Sequence, residues 1–190
     1  ALTTIGGLSE EAALNLSKSA ESLAVANGVA PNVILKDIAD NTETFAKFSG
    51  AGTKGLMRAA IQARKLGIEL SDVASSMEGM LDFQSSLNAE VEASVMLGRN
   101  VNLQKARELA LNNDIEGFQQ EILKQVGSQA EFDKMNVLQK KALASATGMS
   151  VEQLSKMVSK EKEAKTVAGE FAKASQNMIP EEAITSTAQI

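Results

Sequence analysis

The chain has 190 residues, a formal net charge of −5 and neither histidine nor cysteine. These absences exclude disulfide bonds and metal sites built on thiolate or imidazole, and the acidic balance differs from the basic character of non-specific nucleic-acid binders. Hydrophobic residues make up 44%, but aromatic residues only 3%, so we expect a core of Ala, Leu, Val, Ile and Met, which buries little apolar surface per residue. No stretch is long and apolar enough to span a membrane, and no signal-peptide pattern is present.

Apolar residues recur every three or four positions between short stretches of Gly, Ser and Asn. This period predicts an all-α fold, a multi-helix array with one long central helix and several shorter helices. We predict four parts in chain order: a loose lead-in at 1–8, an N-terminal helical segment at 9–52, a central helical domain at 53–160, and a C-terminal helix and tail at 161–190.

The N-terminal segment contains two clear helix starts, a capping serine at Ser9 and a first-turn proline at Pro31. A third, short helix is predicted at 41–48. We interpret Asp37 and Asp40 as solvated carboxylates on the second of these helices. The central domain then opens with a helix that ends at a glycine.

The long central helix is predicted at about 72–97, with Ser71 and Asp72 at its start and Gly98 at its end. Its apolar positions follow the spacing of a helix stripe and exceed what a lone surface helix needs. The excess predicts an assembly interface formed by Leu81, Phe83, Leu87, Val91, Val95 and Leu97. Shorter helices are predicted after it at 103–112, 115–126 and 137–147, with a capped turn at 128–132, and the last main helix is predicted at 151–177.

One pattern occurs three times: an alanine, a glycine four residues later, and apolar residues at six and ten positions after the glycine. Gly28, Gly67 and Gly148 are the central glycines. Each copy predicts two helices joined at an angle by a tight turn, and we expect Gly98 to be a fourth turn or hinge.

The copy around Gly148 also matches the pattern of a DNA-binding helix-turn-helix. In that interpretation Glu152, Gln153, Ser155 and Lys156 would enter the major groove. The alternative is a plain corner between two helices, which needs the same residues for packing, and three copies in one acidic chain favour it.

The stretch 67–157 resembles a segment found in tail tape-measure-type proteins of tailed bacteriophages. The residues that carry the resemblance lie at 81–86, 88–93, 97–103, 106–107, 125–127, 135–137, 142–143 and 148–150. The stretch 67–157 spans about half of the chain. The residues that carry the resemblance contain no catalytic motif.

The resemblance implies a structural component of the virion tail, engaged in tail assembly and genome ejection, and located in the host cytoplasm during assembly. Its partners would be copies of itself around the tail axis, the tail tube, and tail-tip or baseplate proteins. We expect no enzymatic activity, cofactor or metal. A chain that begins at Ala1 and is interrupted by glycines is expected to be a folded piece of a longer protein. Two alternatives are a DNA-associated helix-turn-helix protein and a helical cell-wall hydrolase.

Overall fold

A computed structural model describes residues 10–40, 47 and 52–177 of the chain. The described residues contain ten helices with defined ends and no strand, which confirms the all-α prediction. In chain order they are α1 (Glu10–Ala26), α2 (Pro31–Asp40), α3 (Gly52–Lys65), α4 (Leu70–Leu81), α5 (Phe83–Leu97), α6 (Gln104–Leu111), α7 (Ile115–Val126), α8 (Gln129–Lys134), α9 (Val137–Thr147) and α10 (Val151–Asn177). Apart from Lys47, which is helical, the predicted helix at 41–48 lies outside the described residues, as do the lead-in at 1–8 and the tail from 178.

The prediction of a single long helix at 72–97 is wrong, because the helix is interrupted at Asp82. The backbone of Asp82 leaves the helical region, with φ −78° and ψ 83°, and separates α4 from α5. Its carboxylate accepts hydrogen bonds from the Ser85 backbone N–H at 3.3 Å and from the Ser85 hydroxyl at 2.7 Å. A side-chain acceptor at this position satisfies one of the free N–H groups that begin a helix. The apolar period continues across the break, so periodicity alone could not reveal it.

The repeated alanine–glycine pattern forms three helix corners of the same geometry. Each glycine is left-handed, with φ of 69° at Gly28, 75° at Gly67 and 66° at Gly148. In every case the residue after the glycine donates its N–H to the carbonyl of the pattern's alanine, at 2.9 to 3.1 Å. The glycine itself donates to the residue after that alanine. These two bonds define the Schellman motif, which ends a helix and turns the chain.

A fourth corner of this kind follows α6, where an asparagine replaces the glycine. Asn113 is the one non-glycine residue with positive φ, 56°, in the described part of the chain. Asp114 donates its N–H to the Leu109 carbonyl at 2.9 Å, and its carboxylate accepts from the Gly117 N–H at 2.9 Å, so it caps α7. Asparagine tolerates the left-handed region better than most residues.

The second and third corners pack against each other. A Cβ placed on Gly148 would lie 3.3 Å from the Ser76 Cα in α4, and one on Gly67 would lie 3.5 Å from Lys156 and Lys160 in α10. The buried Ser76 hydroxyl also donates a hydrogen bond to the Thr147 carbonyl at 2.5 Å. Each glycine turn therefore rests on the second helix of the other corner.

The core is centred on α7, which packs against α3, α4, α6 and α10. Its inner face carries the fully buried Phe118 and Ile122. Gln119 is buried on the same helix and donates its side-chain amide to the Ala59 carbonyl of α3 at 3.1 Å. Burying large apolar side chains is worth roughly 1.5–3 kcal/mol each, and here they converge on one helix.

The N-terminal pair α1 and α2 is attached to α3 by packing and by an ion pair. Asp37, expected to be solvated, is only 4% exposed. Both of its oxygens accept from the Arg64 guanidinium, and this hydrogen bonding raises the pKa of Arg64. A buried carboxylate is stable only when it is paired. Asp40, by contrast, is exposed and pairs with Lys36 at 2.8 Å.

The predicted domain boundaries remain predictions. The 160/161 boundary falls inside α10, which is continuous from Val151 to Asn177. The helices predicted at 115–126, 137–147 and 151–177 have the bounds expected from the sequence.

Candidate assembly surface

The predicted interface residues form an exposed stripe along α5. Phe83, Leu87, Val91 and Val95 repeat every four residues and are 46%, 48%, 63% and 74% exposed. A spacing of four places them on one side of a helix, with a slow drift around it. We call this row the α5 stripe. Its members lie together on the surface, as an interface would require.

The two remaining predicted residues lie at the ends of the stripe. Leu81 belongs to α4, on the other side of the Asp82 break, and is 38% exposed. Leu97 ends α5 and is partly buried against the core. Leu97 therefore contributes to the packing of α5 rather than to its outer row.

The other side of α5 faces the core through small side chains. Ser86 and Ala93 are buried there, and α5 makes its most extensive contact with α9. Small residues on the inner face allow the two helix backbones to approach closely. The Gln139 side chain of α9 donates to the Met96 carbonyl at 3.1 Å, which places the start of α9 at the end of α5.

That end of α5 carries further exposed apolar residues that the sequence analysis missed. Met96 is 44% exposed, and Val137 and Leu138, in the first turn of α9, are 67% and 63% exposed. The signal was present in the sequence, because two apolar residues directly follow the capping Asn136. Their proximity to α5 depends on a tertiary contact.

The outer surface of α5 is almost free of charge. Only Glu90 and Glu92 are ionisable on this helix, and Glu90 turns inward. Its carboxylate accepts from the Arg107 guanidinium of α6 and from the Leu103 N–H at 3.2 Å. Arg107 also donates to the buried Ser86 hydroxyl at 2.8 Å. This network ties α6 to the inner face of α5 and keeps the α5 stripe directed outward.

The loop that follows Gly98 is held by the same helix. Gly98 is left-handed, with φ 62°, and ends α5 as the sequence predicts. The Val101 N–H donates to the Ser94 hydroxyl at 3.0 Å. Arg99 donates to the Gln125 carbonyl at 2.6 Å. The Ser94 side chain of α5 and the Gln125 backbone of α7 thus fix the loop, and the break at Gly98 is a defined turn.

The Gly148 corner, the candidate helix-turn-helix, has a different environment. Glu152 and Lys156 pair with each other at 2.7 Å, which lowers the pKa of Glu152 and raises that of Lys156. Ser150 caps α10, because its hydroxyl accepts from the Gln153 N–H at 3.1 Å, and the Gln153 side chain accepts in return from the Ser150 N–H at 2.6 Å. Ser155 is half-buried. The start of α10 shares a shallow depression with Asp72 of α4 and with Glu69, the residue before α4. Carboxylates at that position would repel the phosphates of DNA.

None of the helices in the described ranges is both long and apolar enough to cross a membrane. Comparisons of the chain with protein-family models, with curated proteins and with solved structures found no match.

Proposed function

We propose that this chain is a structural, non-enzymatic segment of a tape-measure-like protein in a bacteriophage tail, with a role in tail assembly and genome ejection. Its sequence resemblance covers the stretch from the Gly67 turn to the first turns of α10. The observation that carries the proposal is the uncharged α5 stripe, which lies within that stretch. A row of large apolar side chains on a helix surface is characteristic of a protein–protein contact.

The partner that best fits the α5 stripe is a second copy of the chain. The four residues are evenly spaced, so two antiparallel copies of α5 would place Phe83 opposite Val95 and Leu87 opposite Val91. An interface with two-fold symmetry requires a surface that is complementary to itself, and an even, uncharged row meets this condition. Tail tube and tail-tip proteins are the other partners within this proposal.

Light scattering across a concentration series tests the self-association. The wild-type chain should form dimers or larger assemblies, and Leu87→Glu/Val91→Glu should remain monomeric because carboxylates would be buried at the contact. Val25→Glu/Leu111→Glu is the matched control, since both residues are exposed apolar side chains on other helices. A wild-type chain that stays monomeric at millimolar concentration would argue against self-assembly through α5.

Cysteine cross-linking distinguishes the orientation, because the chain has no native cysteine. Antiparallel packing predicts a disulfide between Leu87→Cys in one copy and Val91→Cys in another. Parallel packing predicts a disulfide between two copies of the same variant, either Leu87→Cys or Val91→Cys. The tail assignment itself is tested by the complete gene product and by mass spectrometry of purified particles. A largely helical parent of several hundred residues in the tail would support it, and a parent barely longer than 190 residues would contradict it.

A further inference from the structure

A second surface lies beside the Gly67 corner, since Lys160, which the Gly67 turn contacts, is part of it. An open groove of about 560 Å³ lies between the ends of α3 and α7 and the middle of α10. Its rim carries Lys65, Lys124, Lys160 and Lys165, against a single carboxylate at Glu161. The lining therefore has a net charge of +3 in a chain whose total is −5. We call it the lysine groove.

The interior of the lysine groove is apolar. Leu66, Leu123 and Ala164 line it, and Leu66 belongs to the core while Leu123 packs against it. The lining also contains no aromatic ring on which a nucleic-acid base could stack. An apolar floor with a cationic rim suits a peptide that combines apolar side chains with carboxylates.

The lysines can exchange their present partners for a ligand. Lys160 pairs with Glu163 at 2.7 Å, Lys165 with Glu161 at 2.6 Å and Lys124 with Glu121 at 3.6 Å. All are exposed lysines paired within one helix, and such pairs are worth roughly 0–1 kcal/mol. Lys65 has no ion pair with any residue that the structure describes. Little free energy opposes the exchange.

We propose that the lysine groove binds the acidic C-terminal segment, residues 178–190, of a second copy of the chain. The segment contains Glu181 and Glu182, no lysine or arginine, and apolar residues on both sides at Ile179 and Ile184. The other segments outside the described ranges match less well, because 1–9 and 48–51 have no charged residue and 41–46 has a single carboxylate, Glu43. Charge complementarity thus selects the C-terminal segment.

The reach of the chain favours a second copy over the same molecule. α10 continues for twelve residues beyond Lys165 before it ends at Asn177, which is about 18 Å at the helical rise. Glu182 follows five residues later and can return by at most about 17 Å in an extended chain. Its carboxylate would reach only the near edge of the groove, while Lys65 and Lys124 lie on its other wall.

This inference rests on the self-assembly part of the proposed function and gives it a direction. A tail bound in the groove of the next copy is a head-to-tail contact, which generates rings or open filaments. The α5 stripe, in contrast, generates closed pairs. Together the two surfaces would allow a higher-order assembly.

The test uses a fluorescent synthetic peptide of residues 178–190 and fluorescence anisotropy with the full chain. Binding should be clear at 20 mM salt and at least fivefold weaker at 500 mM, because screening weakens exposed charge pairs. Lys65→Glu/Lys124→Glu should weaken binding at least tenfold. Lys105→Glu/Lys141→Glu, two exposed lysines outside the groove, is the matched control and should bind as wild type. Circular dichroism establishes that each variant is folded.

A charge-swapped peptide makes the test specific. The peptide with Glu181→Lys and Glu182→Lys should bind the Lys65→Glu/Lys124→Glu variant better than the natural peptide does. Salt-independent binding, or equal losses in the two lysine variants, would overturn the proposal. So would single-stranded DNA that competes for the same lysines with higher affinity, since the occupant would then be nucleic acid.

Two further outcomes separate this proposal from its alternatives. Energy transfer between one copy labelled at Ser186→Cys and another labelled at Asp133→Cys, an exposed position outside the groove, should appear on mixing and disappear on dilution. Absence of transfer at concentrations where the peptide binds would overturn the second-copy assignment. Leu87→Glu/Val91→Glu should retain peptide binding. If the groove did not bind the peptide but copies still associated through α5, only this inference would be overturned.

Discussion

Arg107 of α6 and Glu90 of α5 form an ion pair that is almost closed to solvent, with side chains 8% and 18% exposed. Ser86 and the Leu103 N–H complete the hydrogen bonding around it. A buried pair of this kind contributes little compared with an apolar contact, but removal of one partner leaves an uncompensated charge. The pair therefore acts as a constraint on how α6 sits against α5.

Arg107→Ala should lower the free energy of unfolding by about 3 kcal/mol, because the Glu90 carboxylate would be left without its cation. Urea unfolding followed by circular dichroism measures the change. Lys105→Ala on the same helix is the control, since Lys105 forms only an exposed pair with Glu108 at 3.1 Å and should stay within about 0.5 kcal/mol. Equal losses of unfolding free energy in the two variants would mean that the ion pair does not constrain how α6 sits against α5.

Gly148→Ala should destabilise the chain more than Gly28→Ala does. Both glycines have positive φ, so both alanines carry a strain of about 1–2 kcal/mol. Only the Gly148 variant also meets a neighbour, the Ser76 backbone at 3.3 Å, while a Cβ on Gly28 meets nothing within 4 Å. We expect a further loss of about 1 kcal/mol or more. Thermal unfolding of the two variants gives the comparison, and a larger loss for Gly28→Ala would contradict the reciprocal packing.

Stability should fall in acid partly through two capping carboxylates. The hydroxyl and N–H of Ser85 lower the pKa of Asp82 from 3.8, and those of Ser128 lower the pKa of Glu131 from 4.5. A folded pKa below the unfolded one gives stability that is complete above the unfolded pKa and is lost as pH falls through the folded pKa. Asp82→Asn/Glu131→Gln should therefore flatten the fall in urea midpoint below about pH 4.5.

Glu92→Gln is the control for that titration. Glu92 is exposed on α5, with no hydrogen bond or ion pair to the described residues. The urea midpoint of this variant should fall with decreasing pH as that of the wild-type chain does. A double variant that follows the wild-type curve as well would mean that these caps do not govern the acid loss.

The Gly148 corner should not bind duplex DNA. The start of α10 lies in a depression where three carboxylates, Glu69, Asp72 and Glu152, outnumber the cations Arg64 and Lys156. A gel-shift assay at 20 mM salt, where phosphate contacts are strongest, should show no complex that depends on Lys156. A complex abolished by Lys156→Ala would instead support the helix-turn-helix interpretation.

The sequence revealed the fold class and the corners because both depend on local chemistry. A left-handed glycine, an alanine at a close helix contact and a capping side chain each act within a few residues of the chain. The bounds of α7, α9 and α10 follow from Asp114, Asn136 and Ser150 in this way.

The features that escaped prediction depend on distant residues or on an unusual substitution. Asp37 looked solvated because its partner Arg64 lies 27 residues away. The Asp82 break is hidden by an apolar period that continues through it. The fourth corner uses Asn113 in place of glycine, so it does not match the repeated pattern. The outward position of the α5 stripe was predicted, but its neighbours on α9 required the tertiary contact at Met96.

The contact between Ser76 and Thr147 also has a mechanical meaning. These residues are 71 positions apart, and the chain between them contains everything from the end of α4 to the end of α9. Tension applied at the two ends of the chain would pass through this contact before it reached the enclosed helices. The α5 stripe would keep its shape until the hydrogen bond between Ser76 and Thr147 broke.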